Sequence, residues 1–360
     1  MKYFLAYDVG TSSVKSILVD ETGIILASAI EGYPLSMPKP GWVEQEPIDY
    51  WNAICKATKQ LIAAAKIDTN QIKGIVFTTQ AMGIIPVNKQ GDVLYPNISW
   101  VDGRAEKQAR KIMRKIGGKS VFSTIAGVEI TGKDVVPKLL WIKENKPELF
   151  KQTYKFLDVN GYLKFKCTDK MTAEWSGACS YGFDLKNKSW ENLFFKLAGI
   201  SIDKLPDLVR STDEVGKLTE TASKELGLQT GIPVYGGCDD TQSAAIGTTA
   251  INEGEAHIYV GTSAWVGVST ARNLKFKNAT FCLQSADPTK NIVVGITESA
   301  GINTQWMVNT YYQKERDLLT EQELFLLIEE EINATNPGAD YLIMTPWFLG
   351  ERCPVSTTTT

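Results

Sequence analysis

The residues with the clearest potential for chemistry are two adjacent carboxylates, Asp239 and Asp240, in the stretch VYGGCDDTQSAAIG at 234–247. The apolar residues before them predict a strand that ends in two glycines, and the small residues after them predict a helix. A carboxylate at such a junction lies where a ligand can approach the backbone closely. One carboxylate can therefore face a cleft while the other caps the helix; the alternative is that both are cap and turn residues.

A second polar stretch, DVGTSS at 8–13, follows the first apolar run of the chain. Gly10 lets backbone N–H groups approach an anion, and Lys15 can supply positive charge. Asp8 could hold a magnesium ion through water. The hydroxyl donors of this turn are Thr11, Ser12 and Ser13. The pattern is typical of a phosphate-binding turn, and a tight polar hairpin turn is the alternative.

The pattern of strand, Gly-Thr-Ser turn and strand returns at 256–269. Its turn consists of Gly261, Thr262 and Ser263. Two such turns at the heads of two domains suggest an internal duplication. Together they could clamp a polyphosphate from both sides.

Three further residues, Trp100, Asp102 and Arg104, lie where an apolar strand passes into a basic helix. Tryptophan offers a flat apolar face to a sugar ring, and aspartate and arginine offer hydrogen bonds to hydroxyl groups. The alternative is an Asp–Arg pair at a helix start. Another polar loop, TQAMG at 79–83, ends a buried-type strand.

The periodicity of the apolar residues predicts the strands and helices that position these residues. Residues 3–30 predict three antiparallel strands, and Pro47 with Asp49 opens a helix. Residues 134–200 read as mostly helical, and an amphipathic helix is predicted from Leu318 to Ile332. At 360 residues the chain is long enough for two sizeable cores.

Composition excludes several classes of function. The net charge of -3 gives no electrostatic case for nucleic acid or an anionic membrane, and no apolar run approaches the span of a bilayer. Six scattered cysteines without a CxxC pair favour a reducing cytoplasm and argue against a zinc site. The single histidine, His257, is predicted to be a packed strand residue. An enzyme built from this chain would therefore use a carboxylate as its general base.

Taken together, the motifs resemble those of the FGGY family of carbohydrate kinases, in the family's order and over essentially the whole chain. DVGTSSVK resembles the first phosphate loop, PGWVEQEPIDYW a phrase typical of the xylulokinase-like branch, and SWVDGRA the family's W-x-D-x-R. GGCDDTQSAAIG resembles the segment with the catalytic aspartate, and YVGTSAW the second phosphate loop. ESAGINTQW matches the segment where glycerol kinases touch the nucleotide, and PWFLGERCPV resembles the late G-x-R-x-P motif.

The resemblance implies an α/β fold of the actin-like ATPase (ribonuclease-H-like) type, duplicated, with two domains around a cleft. We expect an N-terminal sugar-kinase domain at 1–248 and a partial C-terminal nucleotide-binding domain at 249–360. The implied activity is phosphorylation of a primary hydroxyl of a ketose or polyol, a xylulose-type pentulose above all, with ATP and Mg²⁺ as cofactors. The alternative from another class is a non-catalytic sugar-binding protein on a truncated kinase scaffold.

The resemblance also implies roles for individual residues. Asp240 stands seven residues before Gly247, which is the family's spacing for the catalytic aspartate, so Asp239 becomes a secondary sugar contact or helix cap. Asp8 is the expected metal ligand. The expected nucleotide-side residues are Gly10, Thr11, Ser12, Ser13, Lys15, Gly261, Thr262, Ser263, Gly301 and Gln305. The expected sugar-side residues are Gln80, Ala81, Met82, Trp100, Asp102, Arg104, Asp239 and Gln242.

The sequence departs from the family pattern in three places. Gln80-Ala81-Met82-Gly83 stands where xylulokinase-like members often have Gln-Met-His-Gly, and Asn160-Gly161-Tyr162 replaces a more usual Asp-Tyr. The chain also stops soon after its G-x-R-x-P segment, where family members continue into an adenosine-binding loop. We therefore expect an incomplete second domain that binds ATP weakly, while sugar binding is retained. The expected partner is a small sugar in the cytoplasm, without nucleic acid or membrane, and a homodimer is compatible with the sequence.

Overall fold

Two β-sheets organise the chain in this computed structural model. The structure describes residues 1–115, 117–118, 130–261, 263–274, 276, 280–297, 299–347 and 353. Within these ranges, the first sheet uses strands from residues 3–239 and the second uses strands from residues 256–297.

The first sheet has seven strands among the described residues. They are β1 (Tyr3–Val9), β2 (Ser13–Asp20), β3 (Ile25–Gly32), β5 (Ile72–Thr79), β13 (Glu214–Lys217), β14 (Pro233–Tyr235) and β15 (Cys238–Asp239). Their order is β13-β14-β5-β1-β2-β3, with β15 also paired to β5. The predicted meander of β1, β2 and β3 is confirmed, because both pairings are antiparallel. By contrast, β5 runs parallel to β1, and β14 and β15 run parallel to β5.

Short ribbons connect the first sheet to its surrounding loops. They are β4 (Glu44–Gln45) with β7 (Asn97–Ile98), β6 (Ile85–Val87) with β8 (Lys155–Leu157), β9 (Thr172–Glu174) with β12 (Asp207–Val209), and β10 (Phe183–Asp184) with β11 (Ser189–Trp190).

Helices cover the first sheet and build a second apolar cluster beside it. They are α1 (Pro47–Ala65), α2 (Glu106–Arg114), α3 (Val135–Asn145), α4 (Pro147–Gln152), α5 (Val159–Thr168), α6 (Trp175–Ala178), α7 (Asn192–Ala198) and α8 (Glu220–Leu226). Helix α1 begins at Pro47 as predicted, since proline is favoured in a first helical turn. Its buried face, including Trp51 and Ile54, packs with α5, α8 and alternate residues of β1 such as Leu5. The other cluster lies between α2 and α3.

The second sheet is antiparallel throughout. It consists of β16 (Ala256–Val260), β17 (Ala264–Thr270), β18 (Thr280–Gln284) and β19 (Asn291–Thr297), in the order β16-β17-β19-β18. His257 is buried within β16 and accepts a hydrogen bond from the Trp265 indole at 3.1 Å, which confirms its prediction as a packed strand residue. Helices α10 (Gly301–Tyr311), α11 (Gln313–Leu318) and α12 (Glu321–Ala334) follow.

One helix, α9 (Asp240–Gly247), links the two sheets. It follows β15 of the first sheet directly, and its Ala245 packs against Ile292 and Val294 of the second sheet. The helix ends at Gly247, one residue before the predicted domain boundary, and this boundary stays a prediction. No helix in the described part of the chain is long and apolar enough to cross a membrane.

The turn between β14 and β15 has room for glycine only. Gly237 has a φ of +74°, and a Cβ atom there would lie 2.1 Å from the Phe77 carbonyl oxygen. At Gly236 a Cβ atom would lie 2.1 Å from the Arg210 carbonyl oxygen. Gly237 therefore lets β15 approach β5 closely enough to pair with it, and Gly236 lets the turn pack against the backbone at Arg210.

We predict that Gly237→Ala lowers the free energy of unfolding by about 2 kcal/mol or more, since it combines left-handed strain with a backbone clash. Thermal unfolding followed by circular dichroism measures the effect. Gly247→Ala is the matched control, because a Cβ atom there meets nothing within 4 Å. Equal destabilisation by both variants would contradict this account of the turn.

Candidate active site

Three polar loops meet at one edge of the first sheet. Because β1, β5 and β15 are parallel, their carboxyl ends lie side by side, with Asp8 opposite Thr78 and Asp239 opposite Thr79. Ligands of open α/β sheets bind at this edge. The edge therefore unites the turn after β1, the loop that starts at Gln80, and the Asp240 helix start.

The two adjacent carboxylates diverge, as the sequence suggested. Asp239 is buried and caps α9, where its Oδ1 accepts from the Gln242 N–H at 3.1 Å. Asp240 begins the helix, and its side chain is open to solvent. Only Asp240 is therefore presented to a ligand.

The side chain of Gln242 is buried next to these carboxylates. Neither its Oε1 nor its Nε2 has a hydrogen-bond partner. A buried amide without partners is costly, so this side chain suits a residue that completes its hydrogen bonds with a ligand.

Electrostatics distinguish Asp240 from an ordinary carboxylate. Asp240 keeps access to solvent, but partial desolvation by the neighbouring protein atoms raises its pKa to about 6; the charge of Asp8 acts in the same direction, while hydrogen bonds from Thr241 oppose it. Burial raises the pKa of Asp239 well above its usual value, with further contributions from Asp240 and Glu174. Asp240 is thus ionised at neutral pH, yet more basic than a free aspartate.

Hydrogen bonds to its carbonyl groups fix the turn after β1. The Gly10 N–H donates to Ser13 O at 3.0 Å, and the Tyr33 hydroxyl donates to the carbonyls of Gly10 and Ser13 at 2.5 and 2.9 Å. Gln45 Nε2 donates to Thr11 O at 2.8 Å. The turn is therefore fixed before any ligand binds. Ser12 is exposed.

Two charged residues flank the same turn. Lys15 Nζ lies 3.3 Å from Asp8 Oδ2, and both side chains are partly exposed. This exposed pair is weak in water, so either group can exchange its partner for a ligand.

Gln80 is buried directly behind the turn. Its Nε2 lies 3.3 Å from Gly10 O and 3.2 Å from Gln45 Oε1, whereas its Oε1 has no hydrogen-bond partner. Ala81 and Met82, which follow it, are half-buried, and Met82 has a φ of +60°. The loop places these three predicted sugar-side residues next to the predicted phosphate turn.

Trp100 also reaches this turn. Its indole N–H donates to Thr11 Oγ1 at 2.9 Å. The contact joins a predicted sugar-side residue to the predicted phosphate turn across 89 positions of sequence.

Asp102 and Arg104 have a different environment. Both side chains are fully enclosed, and Arg104 Nη2 lies 2.6 Å from Asp102 Oδ2 while Nη1 lies 2.7 Å from Glu44 Oε1. The guanidinium stacks on Trp42 with 3.8 Å to the ring centroid. Asp102 also accepts from the Val43 N–H. These contacts are those of the structural alternative, an ion pair at a helix start, and direct sugar contact by either residue stays a prediction.

The predicted nucleotide residues of the second half form a separate set. Gly261 N–H donates to Ser263 O at 2.8 Å, and Gly301 N–H donates to Gly261 O at 2.8 Å, so the second turn and the start of α10 are joined. Gln305 is exposed on α10 and lies 3.3 Å from Asn309 Oδ1. Thr262 lies outside the described residues.

The groups that hold the Asp240 loop are not among the residues predicted from the sequence. The Asp239 N–H donates to Ser176 Oγ at 3.0 Å, and this hydroxyl donates to Glu174 Oε2 at 2.6 Å. The Ser211 hydroxyl donates to the other Glu174 oxygen, and the fully buried Lys164 donates to Gly236 O at 3.3 Å. A signal was available for Lys164, since it interrupts the apolar run VNGYLKF at 159–165.

Comparisons with known proteins identify the family of this chain. The sequence model of the FGGY family of carbohydrate kinases, N-terminal domain, matches residues 3–247. The chain belongs to the FGGY family of carbohydrate kinases. It is therefore a carbohydrate kinase, and its fold is the actin-like, ribonuclease-H-like fold of that family, as predicted.

Three similar proteins illustrate the relationship. The xylulose kinase of Bacillus subtilis (strain 168) is 30% identical over 356 residues, which cover 98% of this chain and 69% of that protein. The crystal structure of a xyloylose kinase from Brucella ovis has a TM-score of 0.88 at 25% identity and covers 99% of this chain and 72% of that one. The gluconate kinase structure from Lactobacillus acidophilus has a TM-score of 0.87 at 26% identity, with 98% and 70% covered.

The raised pKa of Asp240 predicts a stability effect with a defined sign. In the unfolded chain this carboxyl ionises near its usual pKa, so folding is opposed once the pH exceeds that value, and the full penalty is present above about pH 6. Asp240→Asn removes the penalty and should raise the Tm at pH 8, with the gain shrinking as the pH falls from 6 to 4.

Differential scanning calorimetry at a series of pH values measures this gain. Asp317→Asn, an exposed carboxylate on α11, should change the Tm little at any pH. A Tm for Asp240→Asn that stays below wild type at pH 8 would show that the carboxylate stabilises the fold instead.

Proposed function

We propose that this carbohydrate kinase transfers the γ-phosphoryl group of ATP to a primary hydroxyl of a ketose or polyol, with a xylulose-type pentulose as its substrate. The observation that carries the proposal is the position of Asp240. It is the one member of the carboxylate pair open to solvent, its pKa is about 6, and it lies at the sheet edge beside the Gly10 turn. A general base works best with a pKa near the working pH.

Asp240 accepts the proton of the attacking sugar hydroxyl in this proposal. Phosphoryl transfer depends mainly on positioning and on charge stabilisation. The backbone N–H groups and hydroxyls of residues 10–13, with Lys15, hold the phosphates. Gly261, Thr262, Ser263, Gly301 and Gln305 are the proposed nucleotide residues of the second half.

Asp8 is the proposed ligand for Mg²⁺. Its carboxylate is partly exposed at the end of β1, where an oxygen ligand for a hard cation fits. Within the described ranges, no group of three or more His, Cys, Asp or Glu side chains could hold a metal ion, so the protein would supply few ligands. This donor set suits Mg²⁺, which usually takes one or two carboxylates and completes its shell with phosphate and water. The cation would neutralise charge on the phosphates.

The sugar side is proposed to consist of Gln80, Ala81, Met82, Trp100 and Gln242. The buried unpaired oxygen of Gln80 and the unpaired amide of Gln242 supply hydrogen bonds for sugar hydroxyls. Asp102, Arg104 and Asp239 support this wall through the contacts described above.

A neutral ketose fits this site better than a sugar acid. Arg104 is the cation predicted on the sugar side, and its guanidinium is already engaged by Asp102 and Glu44. A gluconate carboxylate would therefore find no unengaged guanidinium among the proposed sugar-side residues. The name of the Bacillus subtilis relative points the same way, and the name of the Lactobacillus acidophilus structure gives the competing substrate.

We predict that the protein with ATP and Mg²⁺ phosphorylates D-xylulose in preference to gluconate and glycerol, in an assay coupled to ADP release. Asp240→Asn should lower kcat by at least about a hundredfold, the effect of losing a general base. Binding of D-xylulose, measured by titration calorimetry, should survive the substitution.

Asp239→Asn is the matched control for Asp240→Asn. Asparagine keeps the side-chain oxygen that caps α9, so its kcat should fall much less. If Asp239→Asn abolishes turnover and Asp240→Asn does not, the assignment of the base is wrong. Sugar binding without turnover by the wild type would favour the sugar-binding alternative.

The Gly10 turn offers a second test. A Cβ atom on Gly10 would meet only Ser13 O, at 3.6 Å, so the protein itself tolerates alanine there. We predict that Gly10→Ala leaves the Tm unchanged but weakens ATP binding about tenfold, because the methyl group lies where phosphate must approach.

Gly32→Ala is the control, since its Cβ atom would contact the same turn from behind, 3.7 Å from Ser12 O. Its ATP affinity, measured by calorimetry, should match wild type. Unchanged ATP affinity in Gly10→Ala would mean that this segment is an ordinary hairpin turn.

A further inference from the structure

A fully buried lysine lies beneath the proposed sugar side. Lys138 on α3 has no solvent exposure, and its Nζ donates to Ser99 O at 2.8 Å and to Met82 O at 3.2 Å. A buried ammonium group is costly unless its hydrogen bonds are satisfied. The two carbonyl groups it contacts are 17 positions apart and belong to the two loops that carry Met82 and Trp100.

Each of these loops has a feature that needs external support. Met82 has a φ of +60°, a conformation that non-glycine residues keep only when their surroundings impose it. Ser99 O also accepts from the Asp102 N–H at 3.1 Å, just before the chain turns into the Arg104 ion pair. Lys138 therefore contacts one loop at its strained residue and the other loop where the chain turns toward the Arg104 ion pair.

The same loops are joined a few residues away by backbone pairing. Ile84 and Ile98 exchange two N–H to carbonyl hydrogen bonds, at 3.2 and 3.0 Å. This backbone pairing does not extend to Met82 or to Trp100. Lys138 supplies the next connection, on the side toward the sheet edge.

We propose that Lys138 is a positioning residue for sugar binding, because its ammonium group holds the backbones of Met82 and Ser99 at a fixed separation. The separation sets the distance between the Met82 wall and the Trp100 wall of the sugar site. This inference rests on the proposed function, since it assumes that these two walls enclose the sugar. Lys138 itself touches neither sugar nor phosphate.

The charge of Lys138 responds to pH near neutrality. Burial lowers its pKa to about 7, while Asp102 and Asp134 favour the charged form and Arg104 and Lys133 oppose it. Above this pH the amine has one donor fewer and no charge, so it holds the two carbonyls more weakly. Sugar affinity should therefore fall as the pH rises from about 6 to about 8.5.

The test is titration calorimetry of the full chain with D-xylulose, using Lys138→Met, whose side chain has similar length and no donor. We expect the sugar Kd to rise about tenfold to a hundredfold, as a displaced wall would cause, with ATP affinity unchanged. The fall in affinity with pH should be present in wild type and absent in Lys138→Met. Lys138→Gln, which keeps amide donors, should recover part of the affinity.

Lys143→Met is the matched control, since Lys143 lies on the same helix α3 and also donates to a backbone carbonyl, that of Gly199, which is not among the proposed sugar-side residues. It should leave the sugar Kd near wild type. Circular dichroism checks that each variant folds; if Lys138→Met does not, Lys138→Gln and the wild-type pH profile carry the test.

Two outcomes separate this inference from the proposed function. If wild type binds D-xylulose and Lys138→Met binds it equally well, or if both have the same pH profile, the role of Lys138 is overturned and the kinase proposal stands. If wild type neither binds nor phosphorylates any ketose or polyol, the proposed function fails, and the inference fails with it.

Discussion

The parallel pairing of β5 with both β1 and β15 is the constraint on which the site depends. Parallel strands end at the same edge, so the pairing brings Asp8, Gln80 and Asp240 together although they come from three distant parts of the chain. The pairing of β15 in turn requires Gly237, since any side chain there would meet the Phe77 carbonyl of β5. The close approach of the backbone at one glycine thus fixes the position of the proposed base relative to the proposed phosphate turn.

Buried polar groups then fix the loops that this pairing brings together. Arg104 is stacked on Trp42 and paired with Asp102, Lys138 holds two loop carbonyls, and Lys164 and Glu174 support the Asp239 loop. Each of these charges is expensive to bury and is kept only because its donors or acceptors are occupied. The partners of the two lysines are backbone carbonyl groups of the ligand-side loops, whereas Arg104 is held by side chains. Burying these groups costs free energy, but their hydrogen bonds hold the loops in place before a ligand binds. Rigid loops favour the proposed phosphoryl transfer, because that reaction depends mainly on positioning.

Local sequence signals predicted the parts of the molecule that local forces decide. The β1–β3 meander, the helix that begins at Pro47 and the divergence of Asp239 and Asp240 follow from alternation, proline placement and helix capping. The contact of Trp100 with Thr11 and the tie between Ser176 and Asp239 did not follow, since they join residues far apart in sequence. Arg104 shows the remaining difficulty. Its type suits a sugar hydroxyl and a buried carboxylate equally, and only the position of Glu44 shows how its donors are used.

The raised pKa of Asp240, which comes mainly from desolvation, suits its proposed role as the general base and lowers the stability of the fold at neutral pH. A carboxylate with an ordinary pKa would be a weak base for a sugar hydroxyl, whereas burial raises the pKa of Asp239 well above its usual value. Desolvation raises the pKa of Asp240 to about 6, and the charge of Asp8 acts in the same direction. Phosphate groups bound at the adjacent turn would push it further, and Lys15 beside Asp8 partly offsets them. Asp239 therefore caps the helix and stabilises the structure. Asp240 lies at the open edge of the sheet, where it can take a proton.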